Sequence, residues 1–124
     1  MKTYESCVRR ASFYELFGMK RKAIKVMKEA VDRPFSKLEI GSGYIYIGLM
    51  YRKLKELNLA NKNFESALSL CKDEQYPYSP NFKIIIKSFI ENEESEKALK
   101  WLNDLIERES YDRKFSKLKK MKLD

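Results

Sequence analysis

One apolar pattern occurs three times in register along the chain, and this repeat limits the fold more than any other feature. Tyr14 lies nine residues before Ala23, Tyr51 nine before Ala60, and Phe89 nine before Ala98. Four residues after each alanine stands Met27, Phe64 or Leu102. Seven after it stands Ala30, Ala67 or Leu105, followed directly by Val31, Leu68 or Ile106. The alanines are 37 and 38 residues apart. Apolar residues at these intervals line one face of an α-helix. Each copy reads as two antiparallel helices. A single pair cannot bury its own apolar face, so the copies must stack to share a core. Only 4 Gly and 3 Pro occur in 124 residues, which suits long helices and not many short strands.

The middle copy is the clearest. It reads Tyr44-x-x-Ile47-Gly48-x-x-Tyr51, then Ala60-x-x-x-Phe64-x-x-Ala67. Gly48 and Ala60 are small where two helices must cross closely, and Phe64 fills the gap between layers. In the first copy Cys7, Arg10, Ala11 and Tyr14 take the places of Tyr44, Ile47, Gly48 and Tyr51. In the third they are Phe82, Ile85, Ile86 and Phe89. Arg10 breaks the apolar stripe, and Ile86 is bulky where a small residue is expected, so the third crossing should be looser. The pattern resembles the tetratricopeptide repeat (TPR), aromatic-x-x-Leu-Gly-x-x-Tyr and then Ala-x-x-x-Phe. The resemblance implies an all-α chain, an array of three antiparallel helix hairpins wound as a right-handed solenoid. A C-terminal capping helix completes it. One domain, 1–124, is expected, with repeats at about 4–35, 37–74 and 79–110 and the cap at 112–123.

Boundary signals agree with that division. A bend at Phe17-Gly18-Met19 separates the first pair, and Asp32-Arg33-Pro34 ends its second helix. Ser36-x-x-Glu39 is a capping box that starts a helix near Lys37. Leu57-Asn58 and Glu91-Asn92 are expected turns. Residues 73–78 read as a linker, with Ser79-Pro80 supplying an N-cap and a first-turn proline. Residues 110–112 should close the sixth helix. A basic seventh helix, 113–123, should follow, with Phe115, Leu118 and Met121 on one face.

The residue inventory argues against catalysis. There is no histidine, which removes the commonest general base and a favoured metal ligand. Cys7 and Cys71 are too few for a zinc site of Cys and His and read as buried free thiols. Gly41-Ser42-Gly43 lacks the Lys-Ser/Thr of a phosphate loop and reads as a flexible helix start. Glu91, Glu93, Glu94 and Glu96 suit a helix N-terminus better than a metal. Trp101 should pack between the last helices. A non-enzymatic chain without cofactor or metal is expected. The longest uncharged stretch, 40–51, is too short for a membrane span. No apolar signal segment opens the chain, so a cytoplasmic protein is expected.

The formal net charge of +8 is unevenly spread: +6 over residues 1–37, −2 over 38–110 and +4 over 111–124. In TPR arrays the first helix of each pair lines a groove. By register that groove holds Glu5, Arg9 and Ser12, then Ser42, Ile45, Tyr46 and Leu49, then Lys83, Ile84 and Lys87. Tyr46 and its apolar neighbours suit a peptide side chain, and the basic residues suit a carboxylate. Lys83-x-x-x-Lys87 is similar to a Lys-x-x-x-Arg pair of TPR modules that grip the C-terminal acid of heat-shock chaperones. The early positions of that clamp are Val8, Ser12 and Tyr46 here, so most of it is missing. The Lys/Ile/Asn-rich middle repeat is similar to TPR peptide receptors of Gram-positive bacteria and their phages. The resemblance implies a protein- or peptide-binding adaptor or regulator, with self-pairing through an open end of the array. The alternatives are a nucleic-acid contact through the basic ends, Arg113, Lys114, Lys117, Lys119, Lys120 and Lys122 among them, or a non-catalytic scaffold subunit of an enzyme complex.

Overall fold

The computed structural model describes residues 3–121. Among them the structure is all-α, with six α-helices, two 3₁₀ segments and no strand. No helix of the described residues is long and apolar enough to cross a membrane. The chain forms two compact units, Met1–Glu74 and Gln75–Asp124. Their boundary falls in the segment read as a linker.

The first unit holds α1 (Tyr4–Leu16), α2 (Lys20–Val31), α3 (Lys37–Lys53) and α4 (Leu57–Leu70). Helix α2 packs on both α1 and α3, and α4 packs on α3. The expected capping box starts α3: Ser36 Oγ accepts from the Glu39 N–H at 3.1 Å, and Glu39 Oε1 accepts from the Ser36 N–H at 3.1 Å. Thr3 and Ser6 cap α1 by the same reciprocal pattern. The core carries most of the repeat positions: Ala11, Ala23, Met27, Ile47, Ala60 and Phe64 are all sealed from solvent, while Tyr14, Val31 and Tyr44 are half-buried. Cys7 and Cys71 are buried and form no disulfide.

Glycine acts here through close approach. A Cβ on Gly48 would lie 2.4 Å from Cε1 of Phe64, so the Phe64 ring lies directly on the α3 backbone. Phe64 therefore fills the crossing within its own hairpin. Gly43 lies inside α3 and is buried, and a Cβ there would lie 2.7 Å from Cγ1 of Val31 on α2. The Gly41-Ser42-Gly43 segment is thus a packing surface inside a helix, not a flexible start.

The second unit holds α5 (Asn81–Glu91) and α6 (Ser95–Glu107), then 3₁₀ segments Arg108–Ser110 and Arg113–Lys120. Ser79 Oγ accepts from the Asn81 N–H at 3.2 Å, but Pro80, expected in the first turn, is itself the N-cap residue, and α5 begins one residue later. Both 3₁₀ segments belong to the packing around α6. The seventh helix was expected to be an ordinary helix over 113–123. Its spacing explains the difference: Phe115 and Leu118, both sealed, and Met121 recur every third residue, the 3₁₀ period. Residues 122–123 lie outside the described residues. Phe115 joins Phe82, Tyr78 and Tyr111 in an aromatic cluster with ring centroids 5.3–5.6 Å from Phe115. Tyr111 donates to the Tyr76 carbonyl at 2.7 Å, and Asp112 Oδ2 accepts from the Tyr78 N–H at 2.9 Å. Trp101 is buried, with the Lys100 ammonium 4.9 Å from its ring.

The repeat is written most clearly in the three hairpin turns. Gly18, Lys55 and Glu93, spaced as the alanines are, all adopt positive φ, at 75°, 62° and 59°. The N–H one residue later reaches back to the repeat aromatic: Met19 to the Tyr14 carbonyl (2.8 Å), Glu56 to Tyr51 (2.9 Å), Glu94 to Phe89 (2.8 Å). The N–H groups of Gly18, Lys55 and Glu93 bond to the carbonyls of Glu15, Arg52 and Ile90. This pair of bonds is the Schellman helix end. The second turn therefore falls at 54–56, not at the expected Leu57-Asn58, which open α4. The third centres on Asn92-Glu93, with Glu91 still helical. Only the first turn carries glycine, so no glycine marks the positive φ at Lys55 and Glu93.

Candidate functional site

In the first unit the expected groove residues fall on α1 and α3. Glu5, Arg9 and Ser12 are exposed, while Ser42, Tyr46 and Leu49 are half-buried. Ile45 is only 5% exposed and belongs to the core, so it offers a ligand almost no surface. Helix α3 is covered by both α2 and α4, which accounts for this burial.

Tyr46 is the centre of a small polar cluster. Its hydroxyl donates to Glu15 Oε1 at 2.8 Å, and the Ser12 side chain also bonds to it. Lys53 Nζ donates to Glu15 Oε2 at 2.8 Å. Ser12 and Tyr46 are thereby brought together, as the register implied. Burial, followed by the hydrogen bond to Glu15, pushes the Tyr46 phenol far above its ordinary value. The Glu15 carboxyl is held below its ordinary value, chiefly by Lys53. Glu15 and Lys53 were not among the expected residues. Their signal lay in spacing: Glu15 is three residues after Ser12 and Lys53 seven after Tyr46, both same-face intervals on a helix.

Two shallow hollows in this unit have basic walls. One lies between α1 and α2, lined by Arg10, Tyr14, Lys22, Lys25, Val26 and Glu29. The other, against α3, is lined by Arg21, Ile24, Lys25, Lys28 and Tyr51. Lys22 sits 5.8 Å from the Tyr14 ring and Lys28 5.4 Å from the Tyr51 ring. In the second unit Lys83 and Ile84 are half-buried on α5 and Lys87 is exposed. The lysines are one turn apart and share a face.

Among the described residues no group of three or more Cys, Asp or Glu could hold a metal ion. The acidic cluster is used at a helix start: Glu94 accepts from Asn92 Nδ2 at 2.9 Å and pairs with Lys97 at 3.2 Å. The basic C-terminal segment is partly engaged internally. Lys119 pairs with Glu109 at 2.7 Å and Lys117 lies over the Tyr78 ring. Lys122 lies outside the described residues.

Residues 4–35 match the family model described as tetratricopeptide repeat. The first hairpin is similar to a tetratricopeptide repeat. The match falls on the copy in which Arg10 stands at the place of Ile47, not on the copy whose sequence is clearest. The same turn and the same sealed alanine recur in the other two TPR-like hairpins. The TPR is a protein-interaction repeat. No curated protein and no solved structure gives a significant match to the chain.

Proposed function

We propose that the chain is a non-catalytic, cytoplasmic binding module that takes a protein or peptide partner and acts as an adaptor or regulator. The observation that carries this reading is the match of its first hairpin to an interaction repeat. The preferred partner chemistry is acidic. Both hollows of the first unit are walled by Arg and Lys, Arg9 is exposed beside Ser12, and Lys83 and Lys87 form a cationic pair on α5. Tyr46, fixed by Glu15 and Ser12, presents a rigid half-exposed ring beside Leu49, suited to an apolar side chain of a peptide partner. Each cation left free in the groove can bind a carboxylate through charge-assisted hydrogen bonds.

The test is capture of partners by the whole chain and by a variant with Arg9→Glu, Lys83→Glu and Lys87→Glu. These side chains are exposed or half-buried, so the fold should be kept. Partners identified with the parent should be lost from the variant, and raised salt should weaken the parent's binding. Unchanged capture by the charge-reversed variant would remove the groove from the mechanism.

A further inference from the structure

The repeat lets each surface position be compared with its equivalents in the other hairpins. Phe13, Met50 and Ser88 are equivalent. Met50 is 3% exposed and Ser88 is sealed, but Phe13 is 59% exposed. Met50 lies seven residues after Gly43, on the face that α3 presents to Val31 of α2. Ile24, Asn61 and Leu99 are equivalent in the second helices. Ile24 and Asn61 are 4% and 3% exposed, but Leu99 is 52% exposed. Ile24 lies seven residues before Val31, on the face of α2 that meets α3. The α2–α3 contact thus joins two faces, Ile24 with Val31 and Gly43 with Met50. Among the described residues Phe13 on α1 and Leu99 on α6 stay exposed, with Ile106 half-buried, while the 3₁₀ segments also pack on α6.

We infer that these two faces meet between two copies of the chain, with α6 of one copy packing on α1 of the next as α2 packs on α3. This deepens the interaction-module reading and rests on it, naming a second copy of the chain as one partner. Charge complementarity supports the pairing. Residues 1–37 carry a net +6, with Arg9 and Arg10 one turn before Phe13. Residues 91–109 carry a net −4, with exposed Glu96 one turn before Leu99 and exposed Glu107 one residue after Ile106. The terminal units of helical arrays ordinarily show a polar outer face. Here Phe13, Leu16, Phe17 and Met19 are 59%, 80%, 61% and 44% exposed, with the Phe13 and Phe17 rings 4.9 Å apart. The contact joins unlike surfaces, so each association leaves an unfilled face at either side and can propagate.

Sedimentation of the whole chain against concentration tests this without any external partner, so its result is independent of the capture experiment. The parent should associate, and raised salt should weaken that association. Phe13→Lys and Leu99→Lys, both at exposed positions, should each lower self-association at least tenfold, with helicity by circular dichroism unchanged. Mixing the two variants should restore a one-to-one dimer and nothing larger, because each retains the face the other has lost. A parent that stays monomeric up to roughly 1 mM, the weak end of specific binding, would overturn the proposal. So would a Leu99→Lys chain that associates like the parent while Phe13→Lys does not, since that marks symmetric α1-to-α1 pairing. Two monomeric variants that fail to combine would overturn it as well.

Discussion

The second and third hairpins solve the same crossing with opposite choices of side chain. In the second, Gly48 faces Phe64, and the ring occupies the space a Cβ would need. In the third, the equivalent pair is Ile86 and Leu102, both buried. The first hairpin is intermediate, with Ala11 and Met27. Small with large, medium with medium: the volume at the crossing is shared differently, while both residues of each crossing pair stay buried. Helices α3 and α4 run close together over a longer stretch than α5 and α6 do. Volume has to be conserved at this point, whereas the identity of each residue does not.

The largest test exchanges the logic of the two. Ile86→Gly opens a cavity in a sealed site and places glycine inside a helix, so a loss of about 3–5 kcal/mol is expected. Gly48→Ala does the reverse. It gains about 1 kcal/mol of helix propensity but presses a methyl group into a buried ring, for a net loss of about 1–2 kcal/mol. Phe64→Leu in the same chain should recover part of that loss, because it makes the second crossing resemble the third. Urea denaturation of the four chains reads these values. A Gly48→Ala chain as stable as its parent would mean that Phe64 can move aside, and the contrast between the hairpins would fail.

The turns extend the comparison with a smaller effect. Lys55 and Glu93 hold positive φ without glycine's freedom, and Gly18 has no side-chain neighbour within 4 Å of its missing Cβ. Lys55→Gly and Glu93→Gly should each stabilise by roughly 0.5–1 kcal/mol, and Gly18→Ala should destabilise by about 1 kcal/mol. Thermal midpoints should therefore move in opposite directions for the first hairpin and the other two. A Lys55→Gly chain that melts earlier would show that the Lys55 side chain contributes more than its backbone strain costs.

These positions show what the sequence could and could not disclose. Helix pairing was legible because Ala23, Ala60 and Ala98 sit at fixed distances from Tyr14, Tyr51 and Phe89, and burial forces that spacing. The capping box at Ser36 was legible because its chemistry is local. The turn at Lys55 was not, since lysine carries no preference for positive φ; only its register with Gly18 marks it. Leu57-Asn58 attracted the turn assignment by composition, yet the Schellman bonds come from Tyr51 and Arg52. Repeat register alone puts Ile45 in the groove and carries no sign that α3 is covered by both α2 and α4. Exposed Phe13 and Phe17 gave no warning, because an apolar residue reads the same in sequence whether or not a neighbour covers it.

The smallest expected effect separates the two units by the origin of one acidic group in each. Glu15 is held below its ordinary value of 4.5 chiefly by the Lys53 ammonium, a partly solvated ion pair. Asp112 is held below its ordinary 3.8 by the backbone N–H groups of Tyr78 and Lys114. Both pKa values are depressed in the folded chain, so the unfolded chain takes up these protons first. Each contribution to stability is therefore complete above the ordinary pKa and is lost as pH falls through the lower folded value. Salt distinguishes them: about 1 M shortens the screening length to roughly 3 Å and weakens the exposed Glu15–Lys53 pair, while amide hydrogen bonds persist. Glu15→Gln should thus flatten the acid side of the stability curve in low salt and make little difference in high salt. Asp112→Asn should flatten it in both. Carboxyl titration by NMR at the two ionic strengths should show the Glu15 value rising with salt and the Asp112 value nearly still. If Glu15 stays equally low in high salt, its depression comes from the Tyr46 hydroxyl and not from Lys53, and the Tyr46 cluster, rather than the ion pair, joins α1 to α3.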